Sequence, residues 1–175
     1  MLNYIKGMDI SSLDEVEKLG AKFYDHGQEG GLIQILKNYG TNYIRLRIWN
    51  DPKSPDGKPY GAGNTDYETT LRMAKRVKEA GLGFLLDFHY SDFWADPGKQ
   101  RKPKAWADYD ADQLEQAVYD FTKEIMNDFV KEGVVPDMVQ VGNELSNGLL
   151  WPEGQVPCYS NIARFVSAGI RAVKE

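Results

Sequence analysis

The sequence is poor in cysteine and histidine, and this scarcity removes several kinds of site. Cys158 is the one cysteine among 175 residues, which excludes an intrachain disulfide and a zinc–thiolate cluster. The two histidines, His26 and His89, lie in separate parts of the sequence. We assign no metal site and no cofactor.

The sequence also lacks excess basic charge and long apolar runs. A net charge of -5 argues against nucleic acid or an anionic membrane as the main partner, because both bind basic faces. No apolar run reaches the ~20 residues that a membrane span needs. Residues 1–4 lack the basic start and long apolar stretch of a signal peptide. The chain is therefore expected to be cytoplasmic, or a mature or trimmed extracellular protein whose signal peptide is absent or removed.

What the chain does contain is a recurring unit of a short apolar run, a loop and an amphipathic helical pattern. Three helical patterns end at a glycine, namely Gly40, Gly81 and Gly133, as helix C-termini commonly do. The spacing of Thr65 and Glu68 predicts a capping box at the second of these helices. The stretch between the first apolar run and the first helical pattern is predicted to be a loop. The apolar runs cover residues 4–10, 43–49, 82–90 and 138–142.

Alternation of strands and helices predicts parallel strands with helical crossovers. The loops after strands are long and those after helices are short, as in barrels whose strand-to-helix loops build the active site. A doubly wound sheet should carry a phosphate-binding glycine loop after its first strand, and residues 9–20 contain no G-x-G-x-x-G. A complete barrel has eight units and typically ~250 residues. We therefore predict an α/β fold, a TIM (β/α)8 barrel whose N-terminal half is the single domain 1–175, completed by a missing C-terminal half or a second copy.

Glu144 follows the fourth apolar run, at the predicted C-terminal end of a strand. Glycoside hydrolysis commonly uses two carboxyl groups that flank the scissile bond. Because side chains alternate along a strand, Gln140, Gly142 and Glu144 are expected to share a face, with Gly142 leaving space beneath Glu144. Asn143 is then placed to bind a sugar hydroxyl. The alternative is that Asn143 and Glu144 are a helix-capping or solvated pair in a loop.

Polar side chains at the ends of the preceding strands favour the catalytic interpretation. Arg45 and Arg47 share one face of a mostly apolar run, and buried arginines need partners. Arg47 lies nearer the C-terminal end and is expected to orient a catalytic carboxylate. The alternative for either arginine is a structural ion pair with Asp9 or Asp87. His89 falls at the same end of the third run, and Asp87 lies deeper as its expected partner.

All four tryptophans fall at strand ends or in strand-to-helix loops. Aromatic rings pack on the C–H faces of sugars, while polar groups fix the orientation of the sugar. For any single tryptophan, the alternative is that it anchors a loop to the core. The four are Trp49, Trp94, Trp106 and Trp151.

Five segments carry a resemblance to a known family: KGMDISSL (6–13), GTNYIRLRIWNDP (40–52), DFHYSDFWADPGKQ (87–100), KAWADY (104–109) and VGNELSNGLLWPEG (141–154). They resemble the arabinogalactan endo-β-1,4-galactanases of glycoside hydrolase family 53. The resemblance implies an eight-unit barrel and endo-acting, retaining cleavage of β-1,4-galactan or another plant polysaccharide. It implies that Glu144 is the general acid/base. The expected substrate-binding residues are Asn143, Arg47, His89, Trp94, Asp92, Trp49 and Trp151.

The resemblance also implies that one catalytic residue is missing. In this family the nucleophilic glutamate lies at the end of strand seven, beyond the four units counted here. None of three other glutamates is a plausible replacement for this nucleophile: Glu153 lies in a loop, and Glu115 and Glu124 lie on a helix. In a symmetric dimer the partner's Glu144 would fall at the strand-eight position instead. The alternatives are a non-catalytic half-barrel that binds or assembles, and a related barrel hydrolase acting on mannan or cellulose.

Overall fold

The structure is a computed structural model that describes residues 4–61 and 63–175. Residues 1–3, which enter the signal-peptide prediction, lie outside the described residues. The strands are β1 Gly7–Asp9, β2 Phe23–Asp25, β3 Gln28–Gly30, β4 Tyr43–Ile48, β5 Gly83–Phe88 and β6 Met138–Val141. The α-helices are α1 Leu13–Lys18, α2 Leu32–Asn38, α3 Tyr67–Glu79, α4 Ala111–Lys131 and α5 Tyr159–Lys174.

One parallel sheet contains β1, β4, β5 and β6 in that order. Its register pairs Asp9 with Arg45, Arg47 with Asp87, and Asp87 with Gln140, so these polar residues share one side of the sheet. The other side is apolar and belongs to the core that the helices cover. Its fully buried members are Ile44, Leu46, Ile48, Phe84, Leu86 and Phe88. The sheet therefore separates a packed core from a polar face, and the candidate site lies on that polar face.

Three helices end at the predicted glycines, because the chain there turns with a positive φ. Gly40, Gly81 and Gly133 have φ values of +89°, +69° and +74°. The next residue donates back into the helix in each case, for example Val134 N to Phe129 O at 2.9 Å. These are the bonds that close a helix at a left-handed C-terminal residue. Within the described ranges, no helix is long and apolar enough to cross a membrane.

The stretch after β1 is more ordered than predicted, and the expectation of a loop there is wrong. It contains α1 and a hairpin of β2 and β3, whose turn places His26 and Gly27 at φ 47° and 79°. Helix α1 has only six residues, too few for a periodic apolar pattern to stand out. Its Leu13 is buried in the core, and ion pairs with α3 add to this packing, in which Arg72 contacts Asp14 and Arg76 contacts Glu17.

The predicted cap of α3 is also wrong by one residue. Asp66 is the N-cap and its side chain accepts a hydrogen bond from Thr69 N at 3.0 Å. Thr65 lies one position earlier and is buried. Both residue types suit an N-cap, so their side chains alone do not decide between adjacent positions.

Replacement of Asp14 by asparagine tests how α1 is held. The hydrogen bond from Arg72 lowers the pKa of Asp14, so its stabilising effect is present above the unfolded-state pKa and is lost as the pH falls through the lower folded-state pKa. We expect Asp14→Asn to lower the free energy of unfolding at pH 7 by under about 1 kcal/mol. In urea titrations the difference should close below about pH 4. A control Asp108→Asn, at an exposed carboxylate that forms no ion pair among the described residues, should show no such closure. A pH-independent deficit in Asp14→Asn would contradict the assignment.

Candidate active site

Glu144 follows β6 in a segment where the backbone leaves the extended conformation. Gly142 has φ +85° and Glu144 has φ 53° and ψ 52°, so strand alternation stops before Glu144 and the predicted shared face is wrong. A Cβ on Gly142 would lie 2.8 Å from the Leu145 side chain, so Gly142 makes room for Leu145 and not for Glu144. The left-handed conformation costs an L-residue about 1–2 kcal/mol, so the surroundings must hold it. The Glu144 side chain is exposed.

Asn143 is buried, and protein groups engage both ends of its amide. Its Oδ1 accepts from Arg45 Nη2 at 2.8 Å, and its Nδ2 donates to Ala95 O at 2.7 Å. Neither Asn143 nor Glu144 caps a helix through its side chain. The Asn143 amide therefore fixes the start of the loop that carries Glu144.

Arg45 is the centre of the polar side of the sheet. Its guanidinium donates to Asp9 Oδ2 and Asp87 Oδ2, each at 2.6 Å, as well as to Asn143. Asp87 is fully buried and Asp9 is partly exposed. Arg45 thus forms the expected ion pairs with both candidate acids. It connects β1, β4 and β5 to the loop after β6.

Arg47 is buried against aromatic rings. Its guanidinium carbon lies 4.1 Å from the ring centroid of Trp94 and 4.9 Å from that of Trp49, which is cation–π geometry. Its Nη2 also donates to Ser12 Oγ at 3.1 Å. Burial lowers the pKa of Arg47, and the charge of Asp9 opposes that shift. Arg47 therefore supports the ring of Trp94 and ties it to the β1 loop.

His89 is buried, and its hydrogen bonds define its tautomer. Nδ1 accepts from Trp49 Nε1 at 3.1 Å and from Ala95 N at 3.2 Å, so it carries no proton. The proton of the neutral ring is then on Nε2, which lies 3.0 Å from Asp87 Oδ2. His89 therefore lies between Asp87 of the Arg45 network and Trp49 of the tryptophan cluster.

The tryptophans differ in exposure. Trp49 is fully buried and packs against Phe93 and Trp94 at centroid distances of 4.9 and 5.7 Å. Trp106 is buried against the core. Trp94 is half-buried and lines a cavity of about 480 Å³ next to β1. Trp151 is half-buried, and its indole N–H donates to Asn147 O at 3.0 Å. Trp94 and Trp151 are therefore the two that present ring surface.

Asp92 bridges loops. Its two carboxylate oxygens accept from Asp51 N at 3.0 Å and Lys104 N at 2.8 Å. Burial raises the pKa of Asp92, although these backbone N–H groups act to lower it. Both oxygens are engaged by the protein, so Asp92 holds the loop after β4 against the loop after β5.

Gln100 is a residue of this site that the sequence patterns did not single out. It is 1% exposed, and its side-chain amide donates to the backbone of the Glu144 loop. A single glutamine in a polar loop gives no periodic signal, and only its place in the 87–100 segment pointed towards it. Among the described residues, no three His, Cys, Asp or Glu side chains are grouped so as to hold a metal ion.

The profile described as Glycosyl hydrolase family 53 matches residues 5–175. The endo-beta-1,4-galactanase of Bacillus subtilis (strain 168) is 41% identical over 174 residues, which cover 99% of this chain and 40% of the relative. A Niallia circulans protein described as an uncharacterized protein in the bgaB 5' region is 45% identical over 180 residues. The match covers 98% of this chain and 47% of that protein. The chain spans about half the length of the curated relatives it matches.

Solved structures agree with the profile. The Ignisphaera aggregans GH53 catalytic domain superposes with a TM-score of 0.96 at 45% identity, covering 99% of this chain and 49% of that domain. A structure of fungal beta-1,4-galactanases superposes with a TM-score of 0.90 at 37% identity. The match covers 100% of this chain and 50% of the fungal chain. The prediction of a TIM barrel of which this chain supplies about half is confirmed. The chain belongs to glycosyl hydrolase family 53.

Proposed function

We propose that the chain supplies the general acid/base, Glu144, of a retaining, endo-acting β-1,4-galactanase that works outside the cell on plant galactan. The observation that carries this proposal is the placement of Glu144. It is an exposed carboxylate just beyond the C-terminal end of β6, and a buried network holds the loop that carries it. Barrel enzymes place catalytic residues at that end of their strands.

In this mechanism Glu144 protonates the leaving glycosidic oxygen and later removes a proton from the attacking water. Arg45, Asp87 and Asn143 keep the Glu144 loop in place through the network described above. A sugar contact by Asn143 remains a prediction, since protein groups already engage its amide.

The sugar-binding surface in this proposal is built on Trp94 and Trp151. They are the two tryptophans that present ring surface to a polysaccharide. Arg47 and His89 support this surface from below. Trp49 and Asp92 contribute by holding Trp94 and the loops, and direct sugar contacts by these two remain predictions.

The proposed mechanism needs a second carboxylate, which we place outside residues 1–175. Glu115 and Glu124 lie on α4, away from the polar face of the sheet, and Glu115 pairs with Arg164. Glu153 lies 3.0 Å from Lys102. Ion pairs thus engage Glu115 and Glu153, and Glu124 lies on a helix, so we assign the role to none of them. The nucleophile then comes from the other half of the barrel.

The test is to assay reducing ends released from β-1,4-galactan by the 175-residue chain, alone and joined to the second half of the Ignisphaera aggregans GH53 catalytic domain. We expect no turnover by the chain alone and clear turnover by the joined protein. Mannan and cellulose are the control substrates and should give little product. Hydrolysis by the chain alone would contradict the placement of the nucleophile. Preference for mannan or cellulose would contradict the substrate.

A further inference from the structure

The loop after β5 holds the loop that carries Glu144 at three points. Asn143 Nδ2 donates to Ala95 O and Asn147 Nδ2 donates to Pro97 O, both at 2.7 Å. Trp151 N donates to Gln100 O at 2.8 Å. These contacts lie before, within and after the turn that follows Glu144, so the β5 loop is a continuous support for that turn.

The side chain of Gln100 makes a different kind of contact, because it acts on the backbone at Glu144. Its Nε2 donates to Asn143 O at 2.7 Å and to Glu144 O at 3.3 Å. These two carbonyls belong to the peptide groups on either side of the Glu144 Cα. The orientations of those two groups define φ and ψ of Glu144, so one amide constrains both dihedral angles.

Glu144 needs such a constraint, because its conformation is one that L-residues adopt rarely. Arg45 and Ala95 hold the side chain of Asn143, but they do not hold the peptide group between Glu144 and Leu145. The burial of Gln100 keeps water from competing for the two carbonyls. A change in either dihedral angle would move the Glu144 carboxylate relative to a bound sugar.

We propose that Gln100 is a positioning residue that sets the direction of the Glu144 carboxylate by holding the two peptide groups that flank it. The catalytic consequence rests on the proposed function of Glu144. A general acid must lie within hydrogen-bond reach of the oxygen it protonates, and a displacement of about 1 Å can cost on the order of 100-fold in rate.

The first experiment measures backbone hydrogen exchange in the 175-residue chain. Gln100→Met keeps the length of the side chain and removes both N–H donors. The matched control is Gln34→Met, because Gln34 is exposed and bonds only within α2, to Asn38. We expect amides of residues 142–148 to exchange at least about 10-fold faster in Gln100→Met and to be unchanged in the control. Unchanged exchange in Gln100→Met would overturn the proposal.

The second experiment measures kinetics on galactan in the chain joined to the second half of the Ignisphaera aggregans domain. We expect Gln100→Met to lower kcat on the order of 10- to 100-fold with KM within about 2-fold, because the acid is misplaced while the sugar-binding surface is intact. A loss confined to KM, or kcat within about 2-fold of the unchanged protein, would overturn the proposal.

Gln100→Glu separates positioning from packing. A protonated glutamic acid can donate to Asn143 O, whereas its carboxylate only repels the two carbonyls. We expect the kcat of Gln100→Glu, relative to the unchanged protein, to recover as the pH falls, with no recovery in Gln100→Met. Equal deficits in both variants at every pH would count against the hydrogen bonds. If the unchanged joined protein does not cleave galactan, the proposed function fails, and the exchange experiment still decides the role of Gln100.

Discussion

Glu144→Gln, in a barrel completed as above, is expected to lower kcat on galactan by on the order of 10²- to 10⁴-fold, the usual contribution of a general acid/base. Glutamine keeps the size of the side chain and leaves the exposed position and the Gln100 hydrogen bonds unchanged. KM should change little, because the proposed sugar-binding surface on Trp94 and Trp151 is untouched. The measurement is initial rates of reducing-end release over a range of galactan concentrations.

The loss should depend on the leaving group, and this distinguishes an acid from a structural residue. An aryl galactoside whose leaving group needs no proton bypasses the first role of Glu144, so its bond-breaking step should be nearly normal in Glu144→Gln. The matched control is Glu124→Gln on α4, which should behave like the unchanged protein. Equal losses on galactan and on the activated substrate would mean that Glu144 does not act as the acid.

Asp87→Ala is expected to lower the free energy of unfolding by about 3 kcal/mol, the lower end of the cost of removing one partner of a buried ion pair, because Arg45 is partly exposed and keeps Asp9. Asp87 is fully buried and accepts from Arg45 at 2.6 Å, and His89 Nε2 lies 3.0 Å from the same oxygen. Removal of the Asp87 carboxylate leaves Asp9, which is partly exposed, as the acid paired with Arg45. It also leaves an empty space beside His89. Urea unfolding of the 175-residue chain measures the change.

The control for Asp87→Ala is Glu132→Ala, which removes an acid of an exposed ion pair with Lys75. Exposed pairs contribute little, so Glu132→Ala should differ little from the unchanged protein. A double-mutant cycle with Arg45→Met isolates the Arg45–Asp87 interaction from the packing of Asp87. A loss in Asp87→Ala no larger than that of the control would mean that Arg45 is sufficiently held by Asp9 and Asn143.

The parts of the fold that were predictable are those set by local pattern. Apolar runs marked the four strands of the parallel sheet, and Gly40, Gly81 and Gly133 marked helix ends through their positive φ. Helix α1 was missed because six residues are too few for a periodic signal, and its ion pairs with Arg72 and Arg76 on α3 join residues distant in sequence. The hairpin of β2 and β3 was missed for a similar reason, since each of its strands has only three residues.

For the candidate site, the sequence predicted which strand residues share one side of the sheet, but not the geometry of the loops. Strand parity correctly put Arg45, Arg47 and Asp87 on one side of the sheet. It failed at Glu144, because the left-handed backbone there cannot be read from alternation. Arg45 and Arg47 differ in role because they reach different partners. Arg45 donates to Asn143 in the Glu144 loop, whereas Arg47 packs against the ring of Trp94. The part played by Gln100 depends on loop geometry alone.

The aromatic cluster around Arg47 has a practical consequence for spectroscopy. The indole of Trp49 is buried and lies edge-on to the half-buried indole of Trp94, with Arg47 over both rings. A ligand that covers Trp94 changes the polarity around one indole, and the contact transmits the perturbation to a second that it never touches. Intrinsic fluorescence and near-ultraviolet circular dichroism therefore give an unlabelled signal for occupancy of this surface, independent of any bond cleavage.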